Sequence, residues 1–209
     1  MAKKEDSILP YLVELDKSIS LSMSVAASKN SPFGHYRPHM KALEYSCHGA
    51  FWISGSIICL WFCEDPKKEA FFFNLILALI LDIVFVAILK ASISRKRPAN
   101  NEEGDMFLTL SVDKMSCPSG HTSRAVLLTY ILIASSPHMY LLHPVLILWC
   151  MCTCFSRICL GRHYFGDVLL GAFLGYVEYC IMDYIWAGPE TATWYLDFFR
   201  DSGSIVDDL

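Results

Sequence analysis

The chain has 209 residues, of which 54% are hydrophobic and only 18% charged, with a net charge of −4. That length suits one domain, residues 1–209, and leaves no room for a large soluble unit beside a set of membrane spans. The mild acidity argues against nucleic acid as a partner.

Residues 1–44 precede the apolar core. Met1 to Asp6 is charged, and Glu14, Asp16 and Lys17 interrupt what would be the apolar stretch of a leader, so no cleavable signal is expected. Ile8, Leu12, Leu15, Ile19 and Met23 recur at helical spacing. They predict an amphipathic helix over 8–26 that lies on the membrane, packs on the bundle or makes a sixth crossing. Residues 27–44, with Asn30, Pro32, Gly34 and Pro38, read as a polar connection.

Five strong apolar segments follow, at 45–63, 70–90, 121–136, 140–158 and 166–187. They predict an all-α, polytopic transmembrane helix bundle with its core at 45–187, since a span needs about 20 apolar residues. Asp82 and Glu178, inside two of these segments, are expected to face the bundle and bond a neighbour. Gly171 and Gly175 form a Gly-x3-Gly ridge suited to close helix packing. Residues 188–209 read as a short exposed tail, acidic at its end. Eight of the nine cysteines sit in apolar runs and no CxxC pair occurs, so structural thiols are expected.

Three polar clusters interrupt the apolar chain. Lys90 and Arg97, seven residues apart, share a face if the second segment stays helical, and Pro98 discourages its continuation. Basic residues also commonly flank a span, so this cluster alone is ordinary. Pro118-Ser119-Gly120-His121 opens the third segment. Ser119 there is placed to cap a helix whose N-terminus attracts anions, Gly120 permits close approach of a ligand, and His121 falls in the first turn. Ser156-Arg157 is followed by His163 and, four residues later, Asp167. On one helical turn that carboxylate can bond one ring nitrogen and leave the other free to attack, although a structural His–Asp pair is the plain alternative.

The first two clusters share one inter-span loop, and the third lies two crossings later, on the same membrane face. Together they gather Lys90, Arg97, Arg157 and, when protonated, His121, with a helix start and a carboxylate-oriented imidazole. Phosphoryl transfer requires fixed charge around the equatorial oxygens, a nucleophile in line and an acid for the leaving oxygen.

In order, KxxxxxxRP, PSGH and SRxxxxxHxxxD resemble the signature of the type 2 phosphatidic acid phosphatase superfamily, with a match at every signature position from Lys90 to Asp167. The stretch Asp105–Lys114 resembles the polyisoprenoid diphosphate phosphatases, in particular the presqualene diphosphate branch. The resemblance implies that His163 attacks phosphorus and carries a phosphohistidine, oriented by Asp167, while His121 protonates the departing oxygen. It implies that Lys90, Arg97, Arg157, Ser119 and Gly120 hold the phosphate oxygens of a membrane lipid phosphate. No cofactor is implied, and an endoplasmic reticulum and nuclear envelope location is.

Exclusions point the same way. Cys117 and Arg124 are separated by six residues where a cysteine-phosphatase loop has five, and no Gly-x4-Gly-Lys loop occurs. Acidic residues are not paired at the active-face helix ends as two magnesium ions would require, so no metal is expected. Arg124 can reach a second phosphate or form a salt bridge. Arg95, Lys96 and Arg162 offer diphosphate or anionic-lipid contacts, or form a solvated basic rim. Tyr164 and Phe165 either touch the lipid chain or anchor the span at the interface.

Overall fold

A computed structural model describes residues 8–101 and 114–207, the side chains to Phe198. Most of the Asp105–Lys114 stretch, the charged N-terminus and the last two residues lie outside the described residues.

The protein is an all-α bundle. Helix α1 spans Ile8–Met23, α2 Arg37–Ser46 and α3 Gly49–Trp61; α4 runs Pro66–Ile93, α5 Gly120–Ser135, α6 Leu142–Cys159, α7 Phe165–Ile185 and α8 Pro189–Asp207. The longest helix, α4, has a defined start and stop. Asp65 accepts a hydrogen bond from the Lys67 N–H at 2.9 Å with Pro66 at the first helical position. It ends where Ser94 takes the left-handed conformation, φ 50°, and donates its N–H to the Lys90 carbonyl.

Among the described residues, α4, α6 and α7 are long and apolar enough to cross a bilayer. The five expected segments thus divide into three long helices and two shorter ones. The segment expected at 45–63 breaks at Cys47–His48, leaving α3 with 13 residues, about 20 Å. Helix α5 has 16 residues, about 24 Å, and lies in the middle of the bundle. Its buried face includes Thr122, Ser123, Arg124 and Thr129 as well as leucines, which explains its weaker hydropathy.

Leu75, Ala78 and Leu79 of α4, Leu127, Leu128 and Ile131 of α5 and Met182 of α7 form the apolar core. Helix α7 runs against the α5 backbone. A Cβ at Gly171 would lie 2.6 Å from the Ser119 carbonyl oxygen, and one at Gly175 would collide with the Ser123 carbonyl. The expected glycine ridge is present, and its partner is α5.

Asp82 and Glu178 face inward, as expected, and both are fully buried; Asp82 bonds its neighbours, whereas no hydrogen bond reaches either Glu178 carboxyl oxygen among the described residues. Asp82 Oδ2 accepts from Arg124 Nη2 at 2.6 Å, and its other oxygen accepts from the Ser123 hydroxyl. Arg124 therefore serves a salt bridge within the bundle.

Of the two terminal regions, the first is an amphipathic helix packed on the bundle, as expected, and the second departs from expectation. Helix α1 is amphipathic but turns its polar side inward: Ser20 is buried and Asp16 and Lys17 are partly covered, whereas Ile8, Leu9, Tyr11 and Leu12 point outward. In a bilayer the outer surface of a bundle is the apolar one, so the hydrophobic stripe faces away from the protein. Residues 189–207, expected as an exposed tail, form α8, packed along α4. Asn74 fixes the turn into it, donating to the Ala187 carbonyl and accepting from the Ala187 N–H at 2.8 and 2.9 Å. Tyr195 stacks on Phe73, and scattered acids in α8 had concealed this amphipathic face from a hydropathy reading.

Candidate active site

At one end of the bundle four helix termini converge: the C-termini of α4 and α6 and the N-termini of α5 and α7. Short main-chain links fasten them. After α4 the chain extends and pairs as an isolated antiparallel bridge, Lys96 with Met115. The Ser116 N–H donates to the Arg95 carbonyl at 2.8 Å. The Ser119 N–H donates to the Asp167 carbonyl at 3.1 Å, tying the start of α5 to the start of α7. Helix α6 ends in a tight turn at Gly161, φ 66°, and the N–H groups of Arg162 and His163 both point back to the Arg157 carbonyl. Glycine is required at that turn by its conformation and by the Ala27 and Asn100 side chains, which would lie 3.2 and 3.4 Å from a Cβ there. The turn folds His163 under Arg157.

His163 is buried, and its Nδ1 lies 2.7 Å from the Ser116 carbonyl oxygen. A carbonyl only accepts, so Nδ1 carries the proton and Nε2 presents its lone pair. Burial first, then the charges of Arg97, Arg157 and Lys90, hold this imidazole well below the ordinary histidine range. Asp167 sits less directly than the motif suggested. His163 precedes α7, so the two residues do not share a helical turn, and Asp167 Oδ2 is 3.9 Å from His163 Nδ1. That oxygen accepts the Tyr164 N–H at 2.9 Å, capping α7, while Oδ1 accepts from Arg95 Nη1 at 2.8 Å.

His121, in the first turn of α5, has a buried Nε2 with no hydrogen-bond partner among the described residues. Arg157 and Lys90 act electrostatically on both His121 and His163, placing the two imidazoles around one cationic centre. Lys90 and Arg157 are almost wholly buried. Arg97 lies beyond the end of α4, so it does not share a helical face with Lys90; it reaches the centre from the extended segment, donating from Nη1 to the Arg162 carbonyl at 2.9 Å. Arg157 Nε has no hydrogen-bond partner among the described residues, so a buried donor remains for an incoming anion.

Ser119 occupies the cap position of α5 without a side-chain cap bond. Its hydroxyl instead accepts from the Thr122 hydroxyl at 2.9 Å. Gly120 also has a packing reason: a Cβ there would meet Val86 of α4 at 3.2 Å.

Several residues at this end escaped the motifs. Glu44 of α2 is buried 3.2 Å from Arg157 Nη1 and 3.8 Å from Arg162 Nη2. Burial pushes its carboxyl up, but Arg157 and Arg162 outweigh burial and hold it below the usual carboxylate range. Arg162 is fully buried and also donates to Asn101 Oδ1, so it is no part of a solvated rim. Arg95 bridges Asp167 and Asp16, and only Lys96 of the three expected rim cations is exposed. Tyr164 lies under the Arg95 guanidinium, 3.9 Å from ring centre to Cζ, while Phe165 is exposed toward the surroundings. The only sequence hint for Asp16 was its i, i+4 pairing with Ser20 on the polar face of α1; Glu44 and the Ser116 carbonyl had none.

The nine cysteines are free thiols. Burial pushes the Cys117 thiol, adjacent to the histidine motif, up to about 12, which keeps it protonated and unsuited to nucleophilic attack.

Comparison with known proteins places the chain in a family. The sequence profile of the PAP2 superfamily matches residues 71–187. The chain is 33% identical to a probable lipid phosphate phosphatase beta of Arabidopsis thaliana, over 58% of this chain and 68% of that one. Its fold resembles the crystal structure of Aquifex aeolicus LpxE, with a TM-score of 0.58 and 24% identity over 87% of this chain and 98% of the other. It also resembles the first transmembrane PAP2 type phosphatidylglycerolphosphate phosphatase from Bacillus subtilis, with a TM-score of 0.60 and 21% identity over 84% and 86%. A family match over more than half the chain, with a lipid phosphate phosphatase among its relatives, makes this protein a member of the PAP2 superfamily and a hydrolase of phosphoric esters.

Proposed function

We propose that the protein removes phosphate from polyisoprenoid diphosphates or monophosphates, of presqualene or farnesyl type, through a phosphohistidine and without a metal ion. One observation carries the chemistry: His163 has its Nδ1–H committed to a carbonyl, inside a cluster of buried cations that also acts on a second imidazole.

In the first step the Nε2 lone pair of His163 bonds to phosphorus as the phosphorus–oxygen bond to the lipid breaks. Burial and the charges of Arg157 and Arg124 hold the His121 imidazole well below the ordinary histidine range, so it takes up a proton once the negative phosphate lies beside it. It gives that proton to the departing oxygen, producing the lipid alcohol, or the lipid monophosphate from a diphosphate. In the second step His121 takes a proton from water, the water oxygen bonds to phosphorus and the Nε2–phosphorus bond breaks, releasing inorganic phosphate. Lys90, Arg97 and Arg157, with Ser119 and the Gly120 backbone, hold the equatorial oxygens in both steps. Asp167 stabilises the imidazolium that forms.

A hydrocarbon chain has somewhere to lie. A cleft of about 500 Å³ is lined by Phe51, Trp52, Gly55, Phe72, Leu75 and Leu132, and Tyr45 and Ser46 line its near end. Those two residues adjoin Cys47, whose thiol donates to the His121 carbonyl at 3.2 Å. An apolar cleft whose lining adjoins Cys47 in this way supports a lipid tail as its occupant.

A broader lipid phosphate phosphatase is the second reading, favoured by the Arabidopsis relative, whose name specifies no isoprenoid. Phosphate release in detergent with EDTA present, compared across isoprenoid diphosphates, isoprenoid monophosphates, phosphatidic acid and sphingoid phosphates, decides between them. A preference for isoprenoid diphosphates supports the first reading and equal rates the second. Loss of all release in EDTA would overturn metal independence, release that survives His163→Ala would refute the phosphohistidine, and no release from wild type on any of these lipids would leave a non-catalytic scaffold. Residence in the endoplasmic reticulum and nuclear envelope is tested by imaging the tagged chain against markers of both; a plasma-membrane signal refutes it.

A further inference from the structure

Asp16 belongs to α1, far in sequence from every signature residue, yet it is two bonds away from the catalytic centre. Its Oδ2 accepts from Arg95 Nη2 at 2.6 Å, and the other arm of the same guanidinium donates to Asp167 Oδ1 at 2.8 Å. Asp16 Oδ1 accepts the Gly166 N–H at 2.8 Å, in the first turn of α7. Four residues on, Ser20 Oγ accepts the Phe165 N–H at 2.8 Å. Helix α1 thereby supplies two acceptors to the open N–H groups at the start of the helix that carries Asp167. A methyl group at Gly166 would lie 3.2 Å from Asp16, so the fit is close.

An ion pair as exposed as this one, with side chains 23% and 19% accessible, ordinarily contributes little. The geometry differs from that case in two respects. Arg95 cannot swing, because its guanidinium lies over the Tyr164 ring and its second arm ends on a fully buried carboxylate. The charges also do not cancel: two carboxylates share one guanidinium and leave one net negative charge. When His163 bonds to phosphorus its imidazole, still protonated on Nδ1, gains a positive charge 3.9 Å from Asp167. A carboxylate that shares its arginine answers that charge more strongly than one that holds the arginine alone.

We infer that Asp16 is a positioning residue for the reaction: by taking half of Arg95 it leaves Asp167 free to stabilise the imidazolium of His163. Arg95 is the relay, held back from the phosphate oxygens by the same pair of bonds. The sequence KxxxxxxRP therefore contains two kinds of cation, those that meet phosphate and one that meets carboxylates.

The inference rests on the phosphohistidine reading above, and the experiment separates the two. Full-length wild type, His163→Ala, Asp16→Asn, Asp16→Glu, Arg95→Gln and the Asp16→Asn/Arg95→Gln double variant are compared in phosphatidylcholine vesicles carrying farnesyl monophosphate. Asparagine keeps the oxygen that accepts the Gly166 N–H but sets an NH2 donor where Oδ2 accepts from Arg95, so it removes the charge and the Arg95 bond together. Asp16→Asn should lower kcat about 10-fold with KM changed less than about threefold, since only the charged transition state is affected. Asp16→Glu should recover part of the loss, and Asp16→Asn should cost nothing further where Arg95 is already Gln, because the two act as one unit. A wild-type kcat in Asp16→Asn, additive losses in the double variant, or a thermal midpoint that falls in step with activity would each overturn the inference. Failure of wild type to release phosphate, or activity retained by His163→Ala, would instead remove the reading on which it stands.

Discussion

Two buried arginine-centred clusters lie within this bundle, and their contrast separates structure from chemistry. In the middle, Arg124 Nη2 and the Ser123 hydroxyl both donate to Asp82, and the Arg124 Nη1 donates to the Cys47 carbonyl. The Asp82 carboxylate is answered on both oxygens. At the end, Arg157 Nε and His121 Nε2 are buried without hydrogen-bond partners among the described residues. A buried donor without a partner costs on the order of 1–3 kcal/mol, which a fold tolerates where a ligand completes it. The central cluster balances an arginine against a carboxylate answered on both oxygens; the end gathers Lys90, Arg97 and Arg157 about His163, an excess of positive charge that suits an anion.

Mutations should expose this difference. The largest effect belongs to the proposed nucleophile: His163→Ala should lower phosphate release on the order of 10³-fold or more with the thermal midpoint maintained. A smaller loss would mean another group attacks phosphorus. In the central cluster Asp82→Ala should do the opposite, destabilising the protein by about 3–5 kcal/mol because Arg124 is left uncompensated, while the folded fraction stays active. Detergent denaturation midpoints alongside specific activity read this directly, and an Asp82→Ala protein that is stable but inactive would erase the distinction. Arg157→Gln should lower kcat/KM about 10²-fold through lost charge at the equatorial oxygens.

The smaller tests refine the site. Because the His163 imidazole is held below its ordinary value of 6.5, it is neutral, and competent to attack, throughout the neutral range. Its contribution is lost only as pH falls through that depressed value, so the acid limb of kcat/KM should lie below 6.5, and a limb at or above it would contradict the burial and charge described here. Gly55→Leu, at a cleft position with open space around it, should reduce kcat/KM for long-chain substrates a few-fold more than for short ones. Equal losses would separate the cleft from the tail.

The signature residues were legible because the chemistry requires particular side chains at helix ends, and helix ends show in hydropathy. Lys90, His121, Arg157 and His163 could be placed on one membrane face by counting crossings alone. The Ser116 carbonyl could not, because a main-chain acceptor leaves no mark on residue type. Glu44 and Asp16 come from segments whose own periodicity says nothing of α6 or α7, and only tertiary packing unites them. The direction of α1 was hidden for a different reason: in water the hydrophobic stripe faces the protein, whereas in a bilayer solvent and core are equally apolar and polar contacts decide. Helix α5 shows the converse, its buried threonines and serines lowering hydropathy in the helix most enclosed by its neighbours.

The outward-facing stripe of α1 has a practical corollary. Ile8, Leu9 and Leu12 are seated only if the surrounding amphiphile wets them, and the opposite side of the same helix holds the arginine that steadies Asp167. A short-chain micelle that matches this helix poorly would slacken that grip even on an intact polypeptide. Specific activity should therefore vary with the solubilising agent for a given lipid, and reconstitution into long-chain bilayers should restore it.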